Sequence, residues 1–160
     1  MQNRSSHLKN TEKINRGVMD LDIKKLIDNL EKKYKTRNPY ELAASMNVLV
    51  IFENLGSING YYNKQLRQKQ IHINCNLPEH LQLLTCAHEL GHSILHQNAN
   101  TPFLKSFTYL PVDKMEIEAN KFAIELLLSD DMILDFQDYT LEQISRFMGY
   151  CKELIELKFK

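Results

Sequence analysis

The sequence predicts an α+β fold with a helical majority and a small, mostly antiparallel sheet. Helices are indicated by apolar residues that recur every three or four positions in several stretches, many of them opened by a residue suited to capping a helix. Strands are indicated by two short runs, VLVIF at 48–52 and IHIN at 71–74, which are apolar or alternating and rich in β-branched residues. A length of 160 residues suits one domain, and we assign it to residues 18–160.

The first half of the chain contains two predicted helices and the sheet. Residues 1–17 are polar and lack hydrophobic periodicity, so they are predicted to be a disordered N-terminal extension. One helix starts near Asp20, and Asn38, followed by a proline and then an acid, opens a short second helix. The two strand runs flank Asn59-Gly60, which can supply a positive φ for a turn or bulge, and they suggest a hairpin.

The second half is predicted to be helical apart from one loop. Pro78 lies in the first turn of a long helix that ends near His96 or Gln97. The stretch 98–112, which contains two prolines, is typical of a loop. Further helices are predicted at 114–128 after Asp113, at 141–148 after the capping box Thr140-x-x-Gln143, and at 150–158 after Gly149, with a break or a short helix at Ser129-Asp130-Asp131.

The composition argues against several classes of protein. Lys plus Arg and Asp plus Glu both number 20, so the chain lacks the basic excess of a nucleic-acid-binding protein. No apolar run approaches the ~18 residues of a membrane span, and the polar N-terminus is not a secretory signal. Cys75, Cys86 and Cys151 are odd in number and form no C-x-x-C pair, which fits a reducing compartment. We therefore expect a cytoplasmic protein without membrane contact or direct nucleic-acid binding.

One motif carries specific chemistry: His88-Glu89-Leu90-Gly91-His92, an H-E-x-x-H sequence inside the long helix. Four residues advance a helix by slightly more than one turn, so both imidazoles project from one face and can bind one metal ion. Glu89 is rotated by about 100° from His88, which suits a general base beside the metal better than a third ligand. Gly91 costs a helix ~1 kcal/mol relative to alanine, which indicates that a strand or a ligand approaches there.

A catalytic zinc ion takes three protein ligands, so a third must come from outside the motif. The next predicted helix offers Glu116, Glu118 and Glu125. Glu118 and Glu125 lie on one edge of its apolar stripe, whereas Glu116 is rotated by about 160° from Glu118. Helical geometry alone does not separate Glu118 from Glu125, and either could instead be a rim carboxylate bonded to a lysine.

Two segments together resemble the ImmA/IrrE family of zinc metallopeptidases: HELGHSILH at 88–96 and EIEANKFAIELLL at 116–128. The resemblance covers about residues 40–130. It implies a gluzincin-like arrangement, in which the small sheet packs on the H-E-x-x-H helix. Ser129 stands where family members often have proline, which affects the end of a helix and no ligand.

The resemblance also implies the composition of the site and the activity. The implied ligands of one Zn²⁺ per chain are His88, His92 and Glu118, and Glu89 is the implied catalytic residue. The implied activity is that of an endopeptidase that hydrolyses a specific peptide bond in a regulatory protein. Such proteins are similar to phage or mobile-element anti-repressors, and the expected partner is a helix-turn-helix repressor. We expect the substrate to extend along an edge strand, IHIN at 71–74.

Two other functions fit parts of the sequence. A non-proteolytic, zinc-containing binding module could act on a transcription regulator, although such a module would not need Glu89. A DNA-binding protein could use the stretch 140–158, which loosely follows a helix-turn-helix pattern, but its acidic setting argues against contact with phosphates.

The remaining polar and aromatic candidates have mainly structural interpretations. We expect His96 to have a structural role in preference to contacting substrate, and Cys86 to lie in the core. Tyr61 and Tyr62 could supply a hydroxyl that stabilises an oxyanion, although packing at the rim is the simpler role. His72 and His80 are expected on the surface.

Overall fold

The structure of the protein, a computed structural model, describes residues 23–97 and 114–160. The predicted extension at 1–17, the predicted loop at 98–112 and the predicted cap Asp113 lie outside these ranges. The α+β class with a helical majority is confirmed. The elements are α1 (23–34), α2 (Pro39–Ser45), β1 (Val48–Glu53), β2 (Gly60–Gln65), β3 (Gln68–Asn74), α3 (Glu79–Leu95), α4 (Lys114–Leu127), α5 (Asp130–Asp135), α6 (Leu141–Met148), α7 (Lys152–Glu156) and a final 3₁₀ turn (Leu157–Phe159).

Caps encoded in the sequence fix several helix ends. The Asn38 side chain accepts hydrogen bonds from two backbone amides at the start of α2. The predicted capping box of α6 is complete, because Thr140 and Gln143 each accept a bond from the other's backbone amide. Gly149 ends α6 with a φ of 72°, in the left-handed conformation. Ser129 caps α5, so the predicted break opens a short helix.

The sheet has three strands in the order β1-β3-β2. β2 and β3 form an antiparallel hairpin whose turn lies at Leu66-Arg67, several residues after Asn59-Gly60. β1 pairs with β3 in parallel, so the sheet is mixed and only one of its two pairings is antiparallel. The run at 71–74 belongs to β3, which is paired on both sides. The prediction that this run is an edge strand open to substrate is therefore wrong.

One face of the sheet is buried against α3. Tyr62, Ile71 and Ile73 are fully buried, and both β2 and β3 contact α3, which also contacts α4. Complete burial of a large apolar side chain stabilises the fold by roughly 1.5–3 kcal/mol. The helix that carries the motif is therefore held from two directions. Across the described ranges, no helix combines the length and the apolar character that a membrane crossing requires.

The glycine inside α3 marks its close contact with α4. A Cβ atom built on Gly91 would lie 3.1 Å from both Cβ and Cδ1 of Phe122. The expectation that something approaches Gly91 closely is correct, but the neighbour is a helix and not a strand or a ligand. Because Phe122 follows Glu116 by six residues on α4, this contact also brings the start of α4 near the motif helix.

Gly60 marks a second close approach, between β2 and α3. A Cβ atom there would lie 2.4 Å from Cγ2 of Thr85 and 2.6 Å from the His72 carbonyl oxygen. We expect Gly60→Ala to lower the free energy of unfolding by about 1–3 kcal/mol, as overpacking does in other cores. Chemical denaturation of the purified protein measures the loss.

The Thr85→Ser background provides the control for this prediction, because it removes Cγ2 and keeps the hydroxyl that donates to the Leu81 carbonyl. Gly60→Ala should cost less in that background than in the wild type. An equal cost in both backgrounds would contradict the assigned clash with Thr85.

Candidate metal centre

α3 places the polar residues of the motif in the interior. His88, Glu89 and His92 are 5%, 2% and 0% exposed, respectively. Charged and polar side chains are seldom buried this deeply unless they have partners or bind a metal. The four-residue spacing puts both imidazoles on one helix face, with their ring centroids 4.8 Å apart. The spacing in the sequence is sufficient for this pairing. The burial of these side chains results from the packing of the sheet and α4 against α3.

Potential ligand atoms of three side chains converge in front of this face. His88 Nε2 and His92 Nε2 are 3.1 Å apart. On Glu116, from α4, Oε2 lies 3.4 Å from the first nitrogen and Oε1 lies 3.1 Å from the second. Tetrahedral zinc with bonds of ~2.0–2.1 Å keeps its ligand atoms about 3.3–3.4 Å apart. The measured distances are close to this value, so these three side chains could hold one ion of about the size of zinc.

The carboxylate beside the histidine pair belongs to Glu116, whereas Glu118 is the third ligand that the family resemblance implies. Glu118 instead lies 2.8 Å from His96 Nε2, outside the converging group found among the described residues. Glu125, the other alternative, pairs with Lys158 at 2.6 Å. Glu116 and Glu118 lie on opposite edges of the apolar stripe of α4, and only the first edge faces the histidine pair.

Glu89 lies close to this group and is tied to the sheet. Its carboxyl group accepts a hydrogen bond from the backbone N–H of Tyr62, while Oε2 is buried and has no hydrogen-bond partner within the described part of the chain. Burial raises the pKa of Glu89 to about 8; the charge of His92 opposes the rise, and that of Glu116 adds to it. A buried carboxyl oxygen without a partner is expected where a water, a substrate or an ion belongs.

His88 has a hydrogen-bond partner behind it that the sequence analysis missed. Its Nδ1 lies 2.8 Å from Oδ1 of Asn120, a buried residue of α4. Because an amide oxygen only accepts, Nδ1 carries the hydrogen and Nε2 keeps a lone pair for a metal. One signal was present in the sequence: Asn120 follows Glu116 by four residues, so the two share an edge of α4.

The charges around the converging ligand atoms favour a cation. Burial opposes ionisation of Glu116, but hydrogen bonds and charge interactions with His88 and His92 lower its pKa to about 2. The carboxylate is therefore ionised at neutral pH and faces two ring nitrogens. Electron-rich atoms at these distances repel one another unless protons or a metal cation lie between them. Two imidazoles and one carboxylate also match the ligand set of known catalytic zinc sites.

The tyrosine candidates make other contacts. Tyr62 is fully buried, and its hydroxyl donates to the Gln97 carbonyl oxygen at 3.5 Å. Tyr61 points to the opposite face of the sheet, where its ring stacks on His72 with 4.4 Å between centroids. Neither contact places a hydroxyl at the converging ligand atoms.

The other histidine and cysteine expectations have mixed outcomes. His72 lies between Tyr61 and Glu53 with its side chain 11% exposed, so it is less exposed than predicted. His80 is exposed, as predicted. Cys86 is fully buried in the core, as predicted, and burial raises the pKa of its thiol. Cys86 is therefore an unreactive packing residue.

Comparison with known proteins assigns the family. Residues 43–160 match the profile of the IrrE N-terminal-like domain, peptidase family M78, which is more than half of the chain. The chain belongs to the M78 peptidase family. Membership in this metallopeptidase family implies a metal ion, and the group formed by His88, His92 and Glu116 could hold one.

Two relatives of this M78 peptidase have informative names. The chain is 48% identical over 147 residues to "Uncharacterized immunity region protein 2" of Bacillus phage phi105, covering 90% of this chain and 92% of that protein. It is 35% identical over 133 residues to "Metallopeptidase ImmA" of Bacillus subtilis (strain 168), covering 79% and 78%, respectively. The resemblance found in the sequence is thus confirmed by whole-domain similarity.

Proposed function

We propose that this M78 peptidase is a zinc endopeptidase that cuts a specific peptide bond in a regulatory protein. The observation that carries the proposal is the convergence of His88, His92 and Glu116 beside the buried carboxyl group of Glu89. Hydrolytic zinc sites use three protein ligands and keep a fourth position for water or substrate, whereas structural zinc sites use four protein ligands. Three ligands and an adjacent base therefore support hydrolysis.

The chain's own residues divide the chemical work. Bound zinc would polarise the scissile carbonyl and lower the pKa of a water molecule to ~7. Glu89 accepts the proton of the attacking water on Oε2, which has no hydrogen-bond partner among the described residues, and returns it to the departing amine. The Tyr62 amide holds the other carboxyl oxygen and so fixes the direction in which Oε2 points. Asn120 keeps His88 in the tautomer that can bind the metal.

The observed sheet topology changes the position that we propose for the substrate. β3 is paired on both sides, so an extended peptide that joins the sheet must use an outer strand. β2 is the outer strand that contacts α3, and its Tyr62 amide contacts Glu89. We therefore place the substrate on the β2 side of the sheet, in place of the run at 71–74.

The proposed substrate is a helix-turn-helix repressor of a phage or mobile element, cut in the cytoplasm. This step rests on the family resemblance, and the names of the two relatives support it: one denotes a phage immunity region and the other a metallopeptidase. Main-chain pairing alone accepts any peptide, so selectivity must come from side-chain pockets and from docking to a folded partner.

We expect the zinc-loaded protein to cut the repressor encoded beside its own gene at one or a few positions, and to leave casein intact. Both substrates are incubated at matched concentration, and the products are measured by mass spectrometry. Glu89→Gln serves as the inactive control. Faster degradation of casein would overturn the regulatory proposal, and a repressor that binds but is never cut would indicate a non-proteolytic binding module.

A further inference from the structure

A chain of hydrogen bonds extends from His92 away from the converging ligand atoms. His92 Nδ1 lies 3.1 Å from Nδ1 of His96, and His96 Nε2 lies 2.8 Å from Oε2 of Glu118. The His92 side chain is 0% exposed, and those of His96 and Glu118 are 8% and 18% exposed, respectively. This hydrogen-bond chain is largely shielded from water, and it links the last turn of α3 to the first turns of α4.

The chemistry of the terminal group sets the direction of every hydrogen in this chain. An ionised carboxylate only accepts, so the Glu118 oxygen fixes a hydrogen on His96 Nε2. Neutral His96 then has a lone pair on Nδ1, which must accept from His92 Nδ1–H. The result leaves a lone pair on His92 Nε2, the atom that faces His88 and Glu116.

We propose that Glu118 and His96 are positioning residues that hold His92 in its metal-binding tautomer and raise the affinity of the site for the metal. The inference rests on the proposed zinc site and assigns a role to two residues outside its ligand set. Partners of this kind also make the ligand imidazole more basic. His88 and His92 have different hydrogen-bond partners. His88 donates to the neutral amide of Asn120, whereas the hydrogen-bond chain that begins at His92 ends in a carboxylate.

Glu118→Gln tests the direction of the hydrogens at constant side-chain size. The new amide no longer fixes the direction: its oxygen can accept as the carboxylate did, but its NH₂ group can instead donate to His96 Nε2, which reverses the hydrogen-bond chain and places the hydrogen on His92 Nε2, the wrong atom. We expect the zinc dissociation constant of the full-length protein to rise about 10–100-fold, with binding still saturating at one ion per chain. Competition with a chromophoric chelator measures the constant.

Lys114→Met is the matched control. Lys114 lies 3.7 Å from Glu118 on the exposed side of α4. Removing its charge therefore leaves the hydrogen bonds that join Glu118, His96 and His92 intact. We expect its zinc affinity to stay within about twofold of the wild type, since exposed ion pairs contribute little. Equal affinities of Glu118→Gln and Lys114→Met would overturn the inference.

A pair of variants at His96 separates positioning from packing. His96→Asn keeps a short side-chain oxygen that can accept from His92 Nδ1–H, whereas His96→Leu fills the space without an acceptor. We expect the Asn variant to retain more zinc affinity than the Leu variant. Equal losses in both would indicate a packing role alone and would overturn the inference.

Histidine ¹⁵N chemical shifts of the zinc-loaded wild type provide an independent readout. They should show hydrogens on His92 Nδ1 and on His96 Nε2, and a hydrogen on His96 Nδ1 would overturn the inference. A wild type that binds no zinc would overturn the proposed function and this inference together. Zinc binding that is insensitive to Glu118→Gln would overturn this inference alone.

Discussion

A Glu116→Gln variant is expected to bind zinc more than about 100-fold more weakly than the wild type. The loss should exceed that caused by removing a hydrogen-bond partner of a ligand, which typically costs 10–100-fold. The physical reason is that the substitution replaces an anionic carboxylate, whose Oε2 lies 3.4 Å from His88 Nε2 and whose Oε1 lies 3.1 Å from His92 Nε2, with a neutral amide. Isothermal titration of the metal-free protein, or chelator competition where binding is tight, measures the change.

Substitutions of two further glutamates of α4 provide zinc affinities to compare with that of Glu116→Gln. Glu118→Gln should weaken zinc binding less than Glu116→Gln, because Glu118 acts through His96. Glu125→Gln should leave zinc binding unchanged, because Glu125 pairs with Lys158 and Glu125 is no part of the converging group. An empty site in the Glu118 variant, with zinc retained in the Glu116 variant, would restore the ligand assignment made from the family resemblance.

The difference between Glu116 and Glu118 shows where sequence reasoning about the site stops. The i, i+4 spacing of His88 and His92 fixes their common face within one helix, so the sequence is sufficient for that pair. The choice of carboxylate depends on which edge of α4 faces α3. That orientation is set by tertiary contacts such as the one between Gly91 and Phe122, and no local pattern contains it.

A polar residue was the available sequence signal for the edge of α4 that faces the histidine pair. Asn120 shares an edge with Glu116, and its amide lies in the interior against His88. A polar residue beside an apolar stripe has no packing benefit of its own, because burying an amide costs free energy unless it is hydrogen-bonded. The Asn120 side chain thus indicates a polar partner on the facing helix.

The fold shows the same division between local and long-range information. Helix ends were predicted well because their signals are local, as at Asn38 and in the capping box of Thr140 and Gln143. The positions of β1 and β3 were also predicted from β-branched runs, whereas β2 has no such run. The strand order was not predicted, because the insertion of β3 between β1 and β2 depends on pairings between distant segments. The error about the edge strand followed directly from that gap.

Glu89→Gln is expected to lower cleavage of the repressor by about 10²–10⁴-fold, the usual contribution of general acid–base catalysis. The side chain keeps its size, and its amide oxygen can still accept from the Tyr62 N–H. What is lost is the capacity to take a proton from water on Oε2. Quantifying the cleaved repressor over time, with wild type and variant at equal zinc occupancy, measures the effect.

The same variant should fold and bind zinc normally, which separates the base from the ligands. Glu89 is buried, and burial disfavours its charged form strongly enough to raise its pKa to about 8. A neutral amide avoids that cost, so the thermal midpoint of the metal-free variant should equal or exceed that of the wild type. Zinc should remain bound at one ion per chain, because His88, His92 and Glu116 are untouched. Cleavage by this stable, zinc-loaded variant at near wild-type rate would rule out Glu89 as the base and require another residue to accept the proton.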